Sequence, residues 1–409
     1  MKPEHATRRF RFGFAAMLAA LATLGPFSID AYLPAFEGIQ RSLQATPVEI
    51  QQTMSAYLFA FGVMFLFHGA LSDSYGRRPV ILVALAVYTA ASVFAAITDS
   101  VHGLIIWRIV QGLSVGAGMV VGRAMIRDLF GPEDAQRLMS LVTLFFGLAP
   151  AVAPVIGGWL FIGFGWRAVF WFLAAVGVLL VAMGVRFLPE THPPHARHPF
   201  HPVALLKGYE EVGINLRFLM LSLSAGCNFN AFFLYIVSAP VFLGRHLGLG
   251  PQQYAWLFVP CIAGIMLGAQ FSGRAAGRWK PPVTIGRAYL FMGGAALVNL
   301  AYNFIAVPAI PWAVLPLAVF GIGFAMAMPS ITLTTLDMFP TRRGMAASLQ
   351  GFVSGMVNVL TAGVLSPLLW DDTRHLALGM FAMMAAGFAF WRAYLALTRR
   401  KGVLPPPLA

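Results

Sequence analysis

The chain has 409 residues, of which 59% are hydrophobic and only 11% are charged, and its mean hydropathy is +0.76. Soluble proteins carry about 25% charged residues, so this composition excludes an ordinary soluble protein and indicates a polytopic membrane protein. The net charge of +13 does not indicate a nucleic-acid-binding protein, because the basic residues lie in short loops between apolar runs, as orientation signals do.

The first apolar run, residues 14–33, contains a single charged residue, Asp30. About 20 helical residues cross a hydrocarbon core of roughly 30 Å, so this run is long enough to span a membrane. A charge near the bilayer centre costs roughly 2.5–3.5 kcal/mol, and an ionisable group there usually faces a cavity or a partner. We therefore expect Asp30 to be a functional residue.

Apolar runs along the whole chain predict an all-α integral membrane protein. The twelve predicted spans are residues 12–34, 49–71, 79–98, 102–126, 138–162, 166–188, 215–243, 252–273, 283–304, 311–336, 345–369 and 375–396. An even number of spans places both termini on one side of the membrane. Most Lys and Arg residues lie in the tails or in loops on that side, so both termini are predicted to be cytoplasmic. The exceptions are Arg41, Arg108, Arg167, Arg245 and Arg374.

The longest polar interruption divides the chain into two halves. We predict one six-helix bundle at residues 1–188, a cytoplasmic linker at 189–214 and a second six-helix bundle at 215–409. The halves resemble a diverged repeat, because Gly76-Arg77 after span 2 has a counterpart in Gly277-Arg278 after span 8. Two pseudo-symmetric bundles are typical of transporters whose halves rock about a site at the membrane midplane.

The linker contains four histidines at every third residue among several prolines, namely His192, His195, His198 and His201. A polyproline II helix has three residues per turn, so these imidazoles could share one face and bind a metal ion weakly. A solvated linker explains the same composition. We predict no metal site and no cofactor.

A second intramembrane charge, Arg108, lies in span 4 at a depth similar to that of Asp30. An arginine keeps its proton, so it needs an anion or oxygen acceptors, and we expect it to couple to Asp30 directly or through water. A carboxylate whose proton affinity changes between conformations can couple proton movement to transport. The alternative is an ion pair that only holds two helices together.

Charged residues at the cytoplasmic ends of spans 2 and 4 predict a gate. Asp73, Arg77, Arg78, Arg127 and Asp128 could form an ion network that closes the cytoplasmic face in one state. Such charges are often only topology signals.

Span 5 combines small residues with two prolines, which predicts a kinked helix pressed against a neighbour. The residues that define this predicted hinge are Gly147, Pro150, Pro154, Gly157 and Gly158.

Several aromatic residues in the spans could line an apolar cavity that carries a few polar groups, as small-molecule sites do. The candidate substrate contacts are Tyr57, Tyr235 and Asn228. The simpler explanation for each aromatic residue taken alone is that it faces lipid or the protein core.

The motifs together resemble the major facilitator superfamily, and within it the twelve-span drug:proton antiporters of the Bcr/CflA type, which act in bicyclomycin resistance and chloramphenicol efflux. Residues 69–78 are similar to the superfamily's loop 2–3 signature, residues 108–118 to its span 4 signature, and residues 147–158 to the span 5 antiporter signature. Residues 29–34 and 127–130 are similar to motifs of the subfamily. The chain departs from the signature at Ser74, where a basic residue is common, and at His68, where a neutral polar residue is expected.

The resemblance implies a rocker-switch exporter of lipophilic drugs, a monomer in the bacterial inner membrane, driven by proton entry. Asp30 would then be the proton site and Arg108 its modulator. An exporter of a specific metabolite, such as a sugar, nucleoside or siderophore, is the alternative. An intramembrane enzyme is disfavoured, because the spans offer no His/Glu metal cluster and no Ser or Cys beside a base.

Overall fold

The structure of the protein is a computed structural model that describes residues 8–197 and 199–400. The chain divides into two compact units. The first comprises the chain up to Pro202 together with Gly250–Ala255, and the second comprises Val203–Leu249 and the chain from Trp256 onward. The division therefore falls within the segment 189–214 that the sequence predicts to be a linker.

The first unit contains eight of the described α-helices. They are α1 (Arg8–Asp30), α2 (Phe36–Leu43), α3 (Pro47–Met64), α4 (His68–Tyr75), α5 (Arg77–Ile97), α6 (Val101–Leu129), α7 (Pro132–Phe164) and α8 (Arg167–Phe187). A 3₁₀ turn at Leu33–Ala35 joins α1 to α2.

The second unit also contains eight of the described α-helices. They are α9 (Pro202–Gly213), α10 (Leu216–Val237), α11 (Ala255–Ala275), α12 (Pro281–Ile305), α13 (Leu315–Asp337), α14 (Arg343–Leu360), α15 (Ser366–Leu369) and α16 (Thr373–Arg400). Two π-helical segments, Pro240–His246 and Thr361–Leu365, follow α10 and α14.

The predicted all-α membrane fold is confirmed. In the described part of the chain, eleven helical stretches are long and apolar enough to cross a membrane, and the bent pair α3 and α4 makes twelve when it is counted as one span. Helices suit this setting because lipid offers no hydrogen-bond partner to the backbone, so each span must satisfy its own amide and carbonyl groups.

Local signals set where several spans begin. At the start of α3, the Thr46 hydroxyl accepts a hydrogen bond from the Glu49 amide and the Glu49 carboxylate accepts one from the Thr46 amide. This reciprocal pair satisfies two amides that the first helical turn leaves without partners. Ser100 caps α6 and Asn215 caps α10 in the same sense, by accepting from backbone amides.

Small residues bring the helices of the first unit close together around α6. A Cβ atom at Gly112 would lie 2.9 Å from the Ala60 Cβ of α3, and one at Gly118 would lie 2.7 Å from the Leu21 carbonyl oxygen of α1. In a membrane, where lipid is as apolar as leucine, such close contact is what drives helix association. The glycines therefore decide where α1 and α3 cross α6.

The second span bends between α3 and α4. The amides of Phe65, Leu66 and Phe67 bond to carbonyls only three residues earlier, at distances of 3.1–3.2 Å. This tighter winding interrupts the α-helical ladder and accompanies a bend of 50° between the two helices.

The linker region contains regular structure. Pro194–Ala196 form a 3₁₀ turn, and α9 packs Val212 against Phe218 and Ala346 of the second unit. His198 lies outside the described residues. The 3₁₀ turn occupies part of the segment for which the sequence suggested a polyproline II helix.

The two units repeat a turn after their second span. Gly76 has φ of +99° and Gly277 has φ of +74°, values that only glycine adopts readily. Each unit also carries an aspartate in an ion pair at the end of its fourth span. These pairs are Asp128 with Arg77 and Asp337 with Arg343. Arg287 lies inside α12, with its guanidinium over the Trp279 ring.

Candidate functional site

Asp30 is the last residue of α1 and is 5% exposed. The chain turns immediately after it, through the bond from the Ala31 amide to the Phe27 carbonyl and into the 3₁₀ turn. Gly157 of α7 packs directly on the Ala31 carbonyl, where a side chain would collide. The end of α1 is thus held against α7, which fixes the position of the carboxylate.

The Asp30 carboxylate has no hydrogen bond or ion pair among the described residues. In particular, the direct pair with Arg108 that the sequence left open is not formed in this structure. An unpaired carboxylate in a membrane span is costly when ionised, so this position favours a group that binds a proton.

Arg108 is fully buried between two tyrosine rings. Its Cζ atom lies 4.1 Å from the centre of the Tyr57 ring and 4.7 Å from that of Tyr32. Nη1 donates to Gln111 Oε1 at 3.0 Å and to the Ser28 carbonyl at 3.4 Å. Aromatic faces attract a desolvated guanidinium, so the cage stabilises the charge without a carboxylate.

Polar side chains from four helices surround this cage. Tyr88 OH lies 2.5 Å from Ser28 Oγ, and Gln111 Nε2 donates to Ser92 Oγ at 2.7 Å. Tyr32 OH lies 2.7 Å from Thr53 Oγ1. Sequence reasoning did not assign roles to Tyr88, Ser92 or Gln111. Their spacing was a usable signal, since residues 88 and 92 and residues 108 and 111 each share a helix face.

Arg77 is the centre of the charged network at the ends of spans 2 and 4. It is 7% exposed, and its guanidinium binds Asp73, Ser72 Oγ and Asp128, the last through Nε at 3.1 Å. Arg78 points elsewhere and donates to the Val185 carbonyl at the end of α8. The structure therefore brings together Asp73, Arg77 and Asp128 of the predicted gate, while Arg78 lies apart and Arg127 is exposed.

The chain after α8 contributes to the same network, which the sequence did not reveal. Glu190 Oε1 accepts from the Arg77 amide at 3.0 Å, and Thr191 Oγ1 donates to Asp128 Oδ2 at 2.9 Å. Arg197 pairs with Glu190 at 3.5 Å. These residues fasten the start of the linker to the first unit.

The predicted substrate contacts are all fully buried. Tyr57 donates to the Gly25 carbonyl at 2.9 Å, and its ring lies on Arg108. Tyr235 OH accepts from Asn299 Nδ2 at 2.8 Å, and Asn228 Nδ2 donates to Tyr289 OH at 2.8 Å. Each has a structural partner here, and contact with a substrate stays a prediction.

The predicted hinge in α7 is a continuous helix through Pro150 and Pro154. Gly157 and Gly158 make close backbone contacts, the latter with Pro251 of the same unit, whereas Gly147 has open space beside it. The two later glycines therefore pack the helix, and the kink stays a prediction.

In the described residues, no group of three His, Cys, Asp or Glu side chains is placed to hold a metal ion. The residues gathered in the first unit are instead a lone carboxylate, a caged cation and an ion network near the end of the spans. Such an arrangement can bind and release a proton and can respond to a change of conformation.

Comparisons with known proteins agree with this architecture. The chain is 28% identical to a bicyclomycin resistance protein homolog of Haemophilus influenzae, over 95% of this chain and 97% of the relative. It is 30% identical to multidrug resistance protein D of Escherichia coli K12, over 94% and 95% of the two chains. These relatives match the resemblance that the sequence motifs indicated.

Solved structures show the same fold. The crystal structure of a D-xylose–proton symporter superposes with a TM-score of 0.71 at 15% identity, covering 94% of this chain and 98% of the symporter. A bacterial homolog of the lysosomal transporter Spinster gives a TM-score of 0.70 at 17% identity, covering 98% and 100%. The sequence profile of the Major Facilitator Superfamily matches residues 17–362. The chain belongs to the Major Facilitator Superfamily of membrane transporters.

Proposed function

We propose that this protein exports lipophilic drugs from the bacterial cytoplasm by proton antiport across the inner membrane. The observation that carries the proposal is the buried Asp30 carboxylate, which has no protein partner in the described residues. Arg108 does not pair with it: its guanidinium lies against the Tyr57 ring and donates through Nη1, while Nε and Nη2 have no hydrogen-bond partner in the part of the chain that the structure describes. The names of the bicyclomycin and multidrug resistance relatives support a drug as the cargo.

The proposed cycle uses the two charges differently. Asp30 binds a proton when the site opens outward and releases it when the site opens to the cytoplasm, because the two states solvate the carboxylate differently. Arg108 keeps its charge throughout, since a guanidinium does not lose its proton at physiological pH. A change in the distance between Arg108 and Asp30 would change the proton affinity of the carboxylate.

The energetics permit useful export. One proton moving down 100 mV releases about 2.3 kcal/mol, which at roughly 1.4 kcal/mol per tenfold sustains a gradient of about 40-fold for a neutral drug. The Arg77 network would hold the cytoplasmic end closed in one state, with Asp73 and Asp128 as its anions.

The test is drug-induced proton movement in respiring everted membrane vesicles, with bicyclomycin, chloramphenicol and ethidium as probes. We expect each transported drug to release protons from the acidified lumen, and Asp30→Asn to abolish the release. Asp99→Asn is the matched control, because Asp99 is an exposed aspartate of the same unit that pairs with Arg167.

Retained coupling in Asp30→Asn would show that Asp30 is not the proton site. If the protein responded to none of these drugs and instead exchanged protons for one polar metabolite, it would be a specific exporter and not a multidrug exporter.

A further inference from the structure

His68 is a buried titratable residue that the proposed cycle does not yet use. It is the first residue of α4, directly after the bend in the second span, and only 2% of its surface is exposed. Charged and titratable side chains are expensive in a membrane span, so a histidine at a helix break calls for an explanation.

The imidazole is packed tightly against α6. The ring lies within hydrogen-bonding reach of the backbone of Met64 in α3 and of Leu113 in α6. A Cβ atom at Gly116 would lie 3.2 Å from both Nδ1 and Cε1 of the ring, and 3.1 Å from the Phe61 ring. The absence of a side chain at Gly116 leaves just the space that the imidazole fills.

The two ring nitrogens differ in their surroundings. Nδ1 is buried and has no hydrogen-bond partner, so the carbonyls of Met64 and Leu113 face Nε2. A neutral imidazole has one donor and one acceptor nitrogen. The tautomer that fits has the proton on Nε2, and the lone pair of Nδ1 is free to take a second proton.

This packing cannot hold the protonated ring. Nδ1 is buried beside Gly116 and has no hydrogen-bond partner among the described residues, and a buried charge without a hydrogen bond is strongly disfavoured. Proton binding at Nδ1 and the close packing of α4 on α6 therefore exclude one another.

In the described residues, no unpaired charged group lies near enough to His68 to stabilise a protonated ring. Along α6, Arg108 lies eight residues outward of Gly116 and Arg123 seven residues inward, or about 12 Å and 10 Å along the helix axis. On α4, Asp73 is bound by Arg77, which begins α5, and Arg78 of α5 bonds to the Val185 carbonyl. Each of these charges is distant or already paired.

We propose that His68 is a second proton-binding residue of the transport cycle, and that binding a proton there separates α4 from α6 and changes the bend in the second span. This inference rests on the proposed proton antiport. His68 lies about 12 Å further toward the cytoplasmic end of α6 than the Arg108 cage. A proton leaving Asp30 for the cytoplasm therefore passes the depth of His68.

The first test is hydrogen–deuterium exchange of residues 62–71 in the purified full-length protein, corrected for the intrinsic pH dependence of exchange. We expect exchange to rise about tenfold between pH 7.5 and pH 5.5 in the natural protein and less than about twofold in His68→Gln, which cannot bind the proton. His102→Gln, which alters an exposed histidine at the other end of α6, should behave like the natural protein.

The second test is ethidium transport in everted vesicles. We expect His68→Gln to lower proton-driven accumulation about fivefold and to remove the pH dependence between pH 5.5 and 7.5, while drug-for-drug exchange without a proton gradient is retained. A variant that lost both activities would have lost its structure instead. In that case the role of His68 would be judged from the hydrogen–deuterium exchange of the natural protein, whose pH dependence does not require an active variant.

Pairing the two tests separates the two proposals. Exchange that does not respond to pH in the natural protein, or that responds equally in His68→Gln, would overturn the role of His68 even if antiport stands. A natural protein without drug-dependent proton movement would overturn the proposed function, whatever the exchange of residues 62–71 shows.

Discussion

At the scale of single residues, Arg108 shows how an arginine can be kept in an apolar span without a carboxylate. Tyr57 and Tyr32 cover the faces of the guanidinium, and Gln111 and the Ser28 carbonyl accept from one edge. The shape of the cage matches a planar cation. A lysine would keep the charge but could neither stack between the rings nor reach the same acceptors.

We therefore expect Arg108→Lys to reduce the free energy of unfolding by about 1–3 kcal/mol, since it leaves buried polar groups without partners. Tyr57→Phe should cost only about 1 kcal/mol, because the ring stays and only the bond to the Gly25 carbonyl is lost. Thermal unfolding of the detergent-solubilised proteins measures both. An Arg108→Lys protein as stable as the natural one would show that the rings do not stabilise the cation.

At the scale of elements, the crossing of α3 and α6 depends on glycines that bring two backbones together. Gly112 lies against the Tyr57 backbone and Ala60 of α3, and Gly116 lies against Phe61 and His68. Motif similarity identified this stretch of span 4, and the structure supplies the physical reason for its small residues. The same crossing positions the Tyr57 ring over Arg108.

We expect Gly112→Ala to lower stability by about 1–3 kcal/mol, because the new methyl group overlaps α3 and forces the helices apart. Gly163→Ala in α7 is the matched control, since no other group lies within 4 Å of the added Cβ. On helix propensity alone, both changes would stabilise a helix by up to about 1 kcal/mol. Equal melting temperatures for the two variants would contradict the role given to Gly112.

At the scale of the whole molecule, the chain between the units is fastened to the first one. Glu190, Thr191 and Arg197 reach the Arg77 network, and α9, which belongs to the second unit, packs Val212 on Phe218 and Ala346. A segment that the composition describes as a solvated linker is thus anchored at both ends. The network around Arg77 includes Asp128, which is 51 residues away in sequence, and Glu190, which is 113 residues away.

We expect Glu190→Gln to speed trypsin cleavage after Arg197 about two- to fivefold in everted vesicles, because the partly exposed pair with Arg197 is lost. Glu211→Gln, which breaks the pair with Arg342 in the second unit, should leave this cleavage unchanged. In vesicles of the natural orientation the site should be protected, since the linker is predicted to be cytoplasmic. Cleavage after Arg197 in vesicles of the natural orientation would show that the predicted orientation is wrong.

The sequence by itself determined the all-helical membrane fold, its apolar spans and the two intramembrane charges of the first half. These follow from local properties: lipid requires runs of apolar residues that satisfy their own backbone, and a charge within such a run stands out. Asp30 and Arg108 were therefore identified without knowing their neighbours. The motif around Asp73, Arg77 and Asp128 was equally visible.

Only the tertiary structure decided what those residues contact. The partners of Arg108 come from α1, α3 and α6 itself, and Glu190 reaches Arg77 across more than a hundred residues of chain. The break before His68 depends on how three amides bond, and the space for its ring depends on Gly116 of another helix. Such contacts depend on which helix faces meet, and residues far apart in sequence decide that.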